Sequence, residues 1–191
     1  MLNPEAFFPM LERVARVLDR CGVRFLITGG LVAVFYAEPR LTQDADLVVD
    51  PDQLKSRLDD FIQALQQLNY VSDARVIRDA VSRGRMFQIL DPVECLKIDF
   101  YPRELVAGEL NRAHVAAFTS EFSFPIISRP DLVISKLVWI SKGSHKSRRD
   151  VRQIMLRATP EEERMVRELA RSMELTPLFD EVLAEPDEID A

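Results

Sequence analysis

Gly29-Gly30, then thirteen intervening residues, then Asp44-Ala45-Asp46 running straight into Leu47-Val48-Val49: this stretch constrains the 191-residue chain more than any other. The apolar run "VRFLIT" (23–28) predicts a strand before the glycines, and 30–37 predicts a short helix that Pro39 stops. "DLVVD" (46–50) predicts a second strand, so two carboxylates stand at the mouth of what should be a buried element. Residues two apart on an extended chain point to one side, which groups Arg40, Thr42, Asp44 and Asp46. The same alternation in "CLKIDFYP" puts Leu96, Ile98 and Phe100 on one face and Lys97, Asp99 and Tyr101 on the other. A buried, unpaired carboxylate is expensive, and a divalent cation offsets the cost directly: Mg²⁺ favours one or two carboxylates plus water and substrate phosphates. Taken alone, Asp-Ala-Asp also fits a loop end in solvent with Asp99 paired to an arginine. The glycine pair alone also fits a tight turn between strand and helix. Both together, with a third carboxylate on a separate strand, favour a site where glycine lets a phosphate approach backbone N–H groups.

The rest of the chain supplies a frame for that site. An apolar fraction of 47% supports a real core, and no apolar run is long enough to span a bilayer. "MLNPEAFFPMLERVARVLDR" reads as an amphipathic helix over 5–20 rather than a signal peptide, so no membrane association is expected. Cys21 and Cys95 lack metal-ligand spacing and are expected as free thiols, which suits a cytoplasmic location. A single helix is expected from Pro51 to Asn69, and further strands in "RMFQILD", "CLKIDFYP" and "FSFPIIS". Residues 70–83 carry no clear pattern. From Arg129 onward the pattern is helical, over about 130–142, 147–158, 161–173 and 176–184. The expected class is therefore α/β (α+β): residues 1–128 as a mixed sheet with flanking helices, and 129–191 as a C-terminal helical region packed on it. An acidic tail, expected to fray, begins at about 184.

The spacing of these residues resembles the DNA polymerase β-type nucleotidyltransferase superfamily, whose motif is an apolar residue and Gly-Gly or Gly-Ser, about a dozen residues, then Asp-x-Asp. A third carboxylate follows on a later strand. Here the matching residues are Ile27-Thr28-Gly29-Gly30, Asp44-Ala45-Asp46 and Asp99. "R-x-T-x-D-x-D" together with "SRPDLVISKLVWISKGSHKSRRDV" is similar to a narrower group, small bacterial proteins related to the abortive-infection toxins of toxin–antitoxin systems. The resemblance covers about 22–155 and implies a nucleotidyltransferase fold. It also implies transfer of an NMP group from an NTP with Mg²⁺ or Mn²⁺. Asp44 and Asp46 would hold one ion on the triphosphate, and Asp46 and Asp99 would share a second that activates the acceptor hydroxyl. Gly29, Gly30, Arg40, Thr42, Lys136 and Asp150 would bind the nucleotide. The glycines here are followed by apolar Leu31-Val32-Ala33, so the turn offers backbone amides rather than hydroxyls.

Lys136 falls between Leu132 and Ile140 on a helical wheel, inside the apolar arc, which suits either a snorkelling stem or a phosphate contact. Asp150 fits the site, a helix dipole, or a pairing with Lys146 or Arg149. Net charge is −6, yet Lys142 to Arg152 holds five Lys/Arg, which suits a solvated face or contact with a triphosphate or RNA. Trp139 is expected to be core. Three functions stand at this point: a metal-dependent nucleotidyltransferase acting on RNA or protein as a toxin–antitoxin component, a non-catalytic protein of the same fold that acts as a binding or antitoxin-like partner to a cognate protein, and a nucleotidyltransferase acting on a small molecule.

Overall fold

The computed structural model describes residues 4–38 and 41–186; Pro39, Arg40 and the last residues of the acidic tail lie outside them. Two units emerge, one formed by 1–32 and 40–127 and the other by 33–39 and 128–191.

The first unit is built on a mixed six-stranded sheet in the order β3-β4-β2-β1-β6-β5. Its strands are β1 (Phe25–Thr28), β2 (Asp44–Val49), β3 (Phe87–Asp91), β4 (Leu96–Tyr101), β5 (His114–Ala117) and β6 (Ser123–Ile126). β2 runs parallel to β4 and β1 parallel to β6, while the remaining pairs are antiparallel. Register separates the faces cleanly. Ile27 lies opposite Leu47, Leu47 opposite Phe100, and Phe100 opposite Phe87, so one face is continuously apolar. Helix α1 (Phe8–Cys21) covers that face with Phe8, Leu11, Val14 and Leu18, all buried. Phe8 meets Phe124 of β6 and Phe118 and Phe122 of the adjoining hairpin, with ring centroids 5.3–6.2 Å apart. Gly22, at φ 66°, ends α1 with the left-handed residue that a Schellman-type stop needs.

The chain beyond β2 departs from the single expected helix. Asp50 caps α3 (Pro51–Ser56) by accepting from the Asp52 and Gln53 amides, and Arg57 breaks the run before α4 (Leu58–Gln67). The break lets Phe61 of α4 stand edge-on to Phe87 and Phe100, beneath the apolar face. Residues left without a pattern form α5 (Ala74–Ser82), started by the Asp73 side chain. The short α6 (Glu109–Arg112) and edge strand β5 carry no sequence signal.

The second unit is helical: α7 (Arg129–Ser141), α8 (Lys146–Met155), α9 (Pro160–Ser172) and α10 (Thr176–Ala184). The end of α2 (Gly29–Tyr36) belongs with them, its first turn with the sheet unit. α7 is buried on nearly every side, from Leu132 through Leu137, so it is the core helix of this unit. Arg129 ties the unit together: it donates to the carbonyls of Tyr36 and Ile154, pairs with Glu162 at 3.1 Å, and covers the Tyr36 ring. Cys21 and Cys95 are free thiols, and among the described residues no helix is long and apolar enough to cross a membrane.

Candidate active site

The second face of the sheet carries the polar residues. Because β2 and β4 are parallel neighbours, Asp44 lies opposite Lys97 and Asp46 opposite Asp99. Alternation within each strand then puts Asp44, Asp46 and Asp99 on one face, away from the phenylalanines. β2 begins at Asp44, so the strand reaches two residues further toward the N-terminus than its apolar run predicts. A bend at Gln43 separates it from Thr42, whose buried hydroxyl donates to the Asp44 carbonyl at 3.0 Å. Thr42 therefore shapes the entry to β2 instead of continuing an extended carboxylate face. Arg40 lies outside the described residues.

Each carboxylate has a neighbouring donor. Gln88, opposite Asp99 on β3, donates its amide to Asp99 Oδ1 at 2.8 Å. The Tyr101 hydroxyl donates to Asp46 Oδ1 at 3.3 Å, and Lys97 Nζ stands 3.9 Å from Asp44 Oδ2. Burial pushes the Asp99 carboxyl up, and the nearby Asp44 charge adds to this, against the pull of Gln88 and Lys97. Burial, with the charges of Asp46, Asp99 and Asp44, also drives the Tyr101 phenol far above its ordinary range, so at neutral pH it stays a donor.

Gly29 packs against this row. It has φ 71°, and a Cβ there would fall 1.8 Å from Asp46 Oδ2. Glycine is thus required twice, by its backbone conformation and by the carboxylate behind it. Thr28, opposite Asp46 on β1, has a buried hydroxyl with no hydrogen-bond partner among the described residues. An orphaned hydroxyl beside a carboxylate row is a feature a bound ligand would satisfy.

In the helical unit, Lys136 of α7 and Asp150 of α8 form a buried ion pair at 2.7 Å. Asp150 thus pairs with Lys136, not with Lys146 or Arg149. The basic run from Lys142 to Arg152 lies largely on α8 and is extensively paired. Arg148 meets Glu181 and Glu185 of the α10 end, Arg152 meets Glu185 at 2.6 Å, and Arg149 meets Glu38 at 3.1 Å. The start of the acidic tail is therefore held by these arginines. Trp139 is 42% exposed, not core, with Lys142 Nζ 5.3 Å from its ring centroid.

Residues 14–155 match the family model described as the nucleotidyl transferase AbiEii toxin of type IV toxin–antitoxin systems. The chain belongs to this AbiEii nucleotidyltransferase family. No curated protein matches it. Solved structures that share the fold include two nucleotidyltransferase-related proteins. One is an antigenic nucleotidyltransferase-like protein from Paracoccidioides brasiliensis, 16% identical over 94% of each chain, with a TM-score of 0.55. The other is the antibiotic-resistance factor ANT(2'')-Ia, 13% identical over 91% of this chain and 96% of that one, with a TM-score of 0.57. In this AbiEii-family protein the three aspartates and both glycines stand out from sequence alone, whereas Tyr101, Gln88, Lys97 and Thr28 join them only in the folded sheet. Lys97 and Tyr101 were already legible as face-mates of Asp99. Gln88 and Thr28 needed the strand register, which no local pattern carries.

Proposed function

We propose that the protein transfers a nucleoside monophosphate from an NTP to an acceptor hydroxyl, which attacks the α-phosphorus and displaces pyrophosphate, using the Asp44, Asp46 and Asp99 face. The observation that carries this reading is the parallel register setting Asp46 beside Asp99, two residues along β2 from Asp44, with Gly29 pressed on Asp46. All three residues offer hard oxygen ligands, the chemistry Mg²⁺ and Mn²⁺ prefer. Among the described residues no group of three or more His, Cys, Asp or Glu side chains is placed to hold a metal ion. Mg²⁺ sites commonly need none, because water and substrate phosphates fill the remaining positions. Bound there, a divalent cation would neutralise the triphosphate and acidify the acceptor hydroxyl.

The chain's own groups do the rest. Gly29 and Gly30 present backbone N–H groups to the phosphates without a side chain in the way. Asp99 accepts the proton of the acceptor hydroxyl. Gln88 and Tyr101 each bond one oxygen of their carboxylate, so Asp99 and Asp46 are held in a fixed orientation before substrate arrives. Transfer to a macromolecule, as a toxin with a cognate partner protein, is the role the AbiEii family suggests.

The test is a transfer assay with Mg²⁺, each labelled NTP in turn, and bacterial RNA or protein. Label incorporated by the wild type and absent with Asp44→Ala/Asp46→Ala is the expected result. Equal labelling by both proteins removes the carboxylates from the chemistry. No labelling and no Mg²⁺-dependent nucleotide binding by either points to the non-catalytic binding protein.

A further inference from the structure

Lys97 carries a consequence for the acceptor, and it rests on the reading just given. The sheet order puts β1 on one flank of β2 and β4 on the other. Gly29-Gly30 follow the last residue of β1, which lies opposite Asp46; Lys97 lies on β4, opposite Asp44. The Asp44–Asp46 row therefore runs between the glycine turn and Lys97. If the glycine side receives the triphosphate, the β4 side, where Asp99 stands two residues from Lys97, receives the acceptor.

Lys97 is poorly engaged for a residue in such a place. Its ammonium is 3.9 Å from Asp44 Oδ2, and the two side chains are 42% and 36% exposed. An ion pair that long and that wet contributes little to stability, so structural need does not explain it. A lysine is a compact charge on a flexible stem, suited to meeting a phosphate once Asp44 turns to other ligands.

We propose that Lys97 is a specificity-determining residue on the acceptor side, binding a phosphate next to the attacking hydroxyl and so selecting an anionic, phosphate-bearing acceptor over a cationic one. Two sources share that chemistry, a polynucleotide end and a small sugar phosphate. A polycationic aminoglycoside would meet like charge beside Asp99.

The experiment compares wild type, Lys97→Ala and Lys97→Arg in three binding titrations. The donor side is read by Mn²⁺ electron paramagnetic resonance with a non-hydrolysable NTP. The acceptor side is read with a short single-stranded RNA bearing a free 3′ hydroxyl, and separately with ribose 5-phosphate. Lys97→Ala is expected to leave the Mn²⁺–NTP titration within about twofold of wild type while weakening one phosphorylated acceptor about 5–10-fold, and Lys97→Arg to restore it. If the acceptor is RNA, the salt dependence of binding should also fall by about 0.7–1 in log–log slope. Loss confined to RNA identifies a polynucleotide end; loss confined to ribose 5-phosphate identifies a small acceptor. Unchanged acceptor binding in Lys97→Ala overturns the proposal, as does loss of NTP binding instead or wild-type binding of neither acceptor. A wild type that binds no Mn²⁺–NTP at all refutes the underlying carboxylate reading, a result distinct from these.

Discussion

At Gly29 a positive φ and a carboxylate behind the backbone act on the same atom position. Gly29→Ala must move Asp46 or the turn, because the new methyl would sit 1.8 Å from Asp46 Oδ2. The left-handed conformation alone costs a non-glycine residue about 1–2 kcal/mol. We therefore expect Gly29→Ala to destabilise the protein by more than that, and the excess to disappear in an Asp46→Ala background. Urea denaturation of the four proteins in the cycle measures the coupling; simple additivity would mean the two residues do not press on each other. Asp99 makes an opposite prediction about stability. Its pKa is raised in the folded protein by burial and the Asp44 charge, so the folded state holds the proton more tightly than the unfolded chain. Stability then falls as pH rises from the unfolded value of about 3.9 through the higher folded value, and the loss is complete above it. Asp99→Asn avoids that loss and keeps an oxygen for Gln88. With chelator present, its Tm should exceed that of wild type at pH 7, and the gap should narrow toward acid pH. Calorimetry at pH 7 and pH 4 decides it; a lower Tm at pH 7 would make Asp99 a structural residue.

At the scale of elements, the alternation in β2 and β4 was readable because one face is apolar without interruption, so Asp44, Asp46 and Asp99 stood out as exceptions. The edge strand β5 was not readable, since three of its four residues are exposed and nothing in "HVAA" alternates. The division of 51–67 at Arg57 was also hidden, because both pieces keep helical composition and only packing of Phe61 under the sheet distinguishes them. α5 did carry a local signal, Asp73 before Val76, Ile77, Ala80 and Val81, which the surrounding charge obscured. Asp50 tests how far a cap at the far end of β2 matters. Burial would raise its carboxyl, but Arg24 and the Gln53 and Asp52 amides outweigh this and hold it below the usual carboxylate range. The resulting stability is present above the unfolded pKa and lost as pH falls through the lower folded value. Asp50→Ala should cost about 0.5–2 kcal/mol at pH 7, the range for losing an N-cap, and clearly less at pH 2–3. Urea melts at the two pH values check it; an equal cost at both would assign the effect to packing rather than charge.

For the whole molecule, the division into a sheet unit and a helical unit places the residues named from sequence in two different settings. Asp44, Asp46 and Asp99 belong to the first, where each has a donor neighbour. Lys136 and Asp150 belong to the second, where they satisfy each other in a buried pair. That pairing changes what Lys136→Ala should do. Removing Lys136 breaks a buried ion pair, which costs about 3–5 kcal/mol, so a large fall in Tm is expected even if the lysine also serves the nucleotide. The single variant therefore cannot separate structure from function. Lys136→Met/Asp150→Leu can, since replacing a buried ion pair with apolar groups of similar volume is often neutral or stabilising. We expect the double variant to regain most of the stability lost by Lys136→Ala, and its Mn²⁺–NTP titration beside wild type tests whether Lys136 serves the nucleotide at all. Recovered stability with unchanged nucleotide binding would leave the pair a purely structural link between α7 and α8, and would confine the nucleotide site to the residues of the sheet unit.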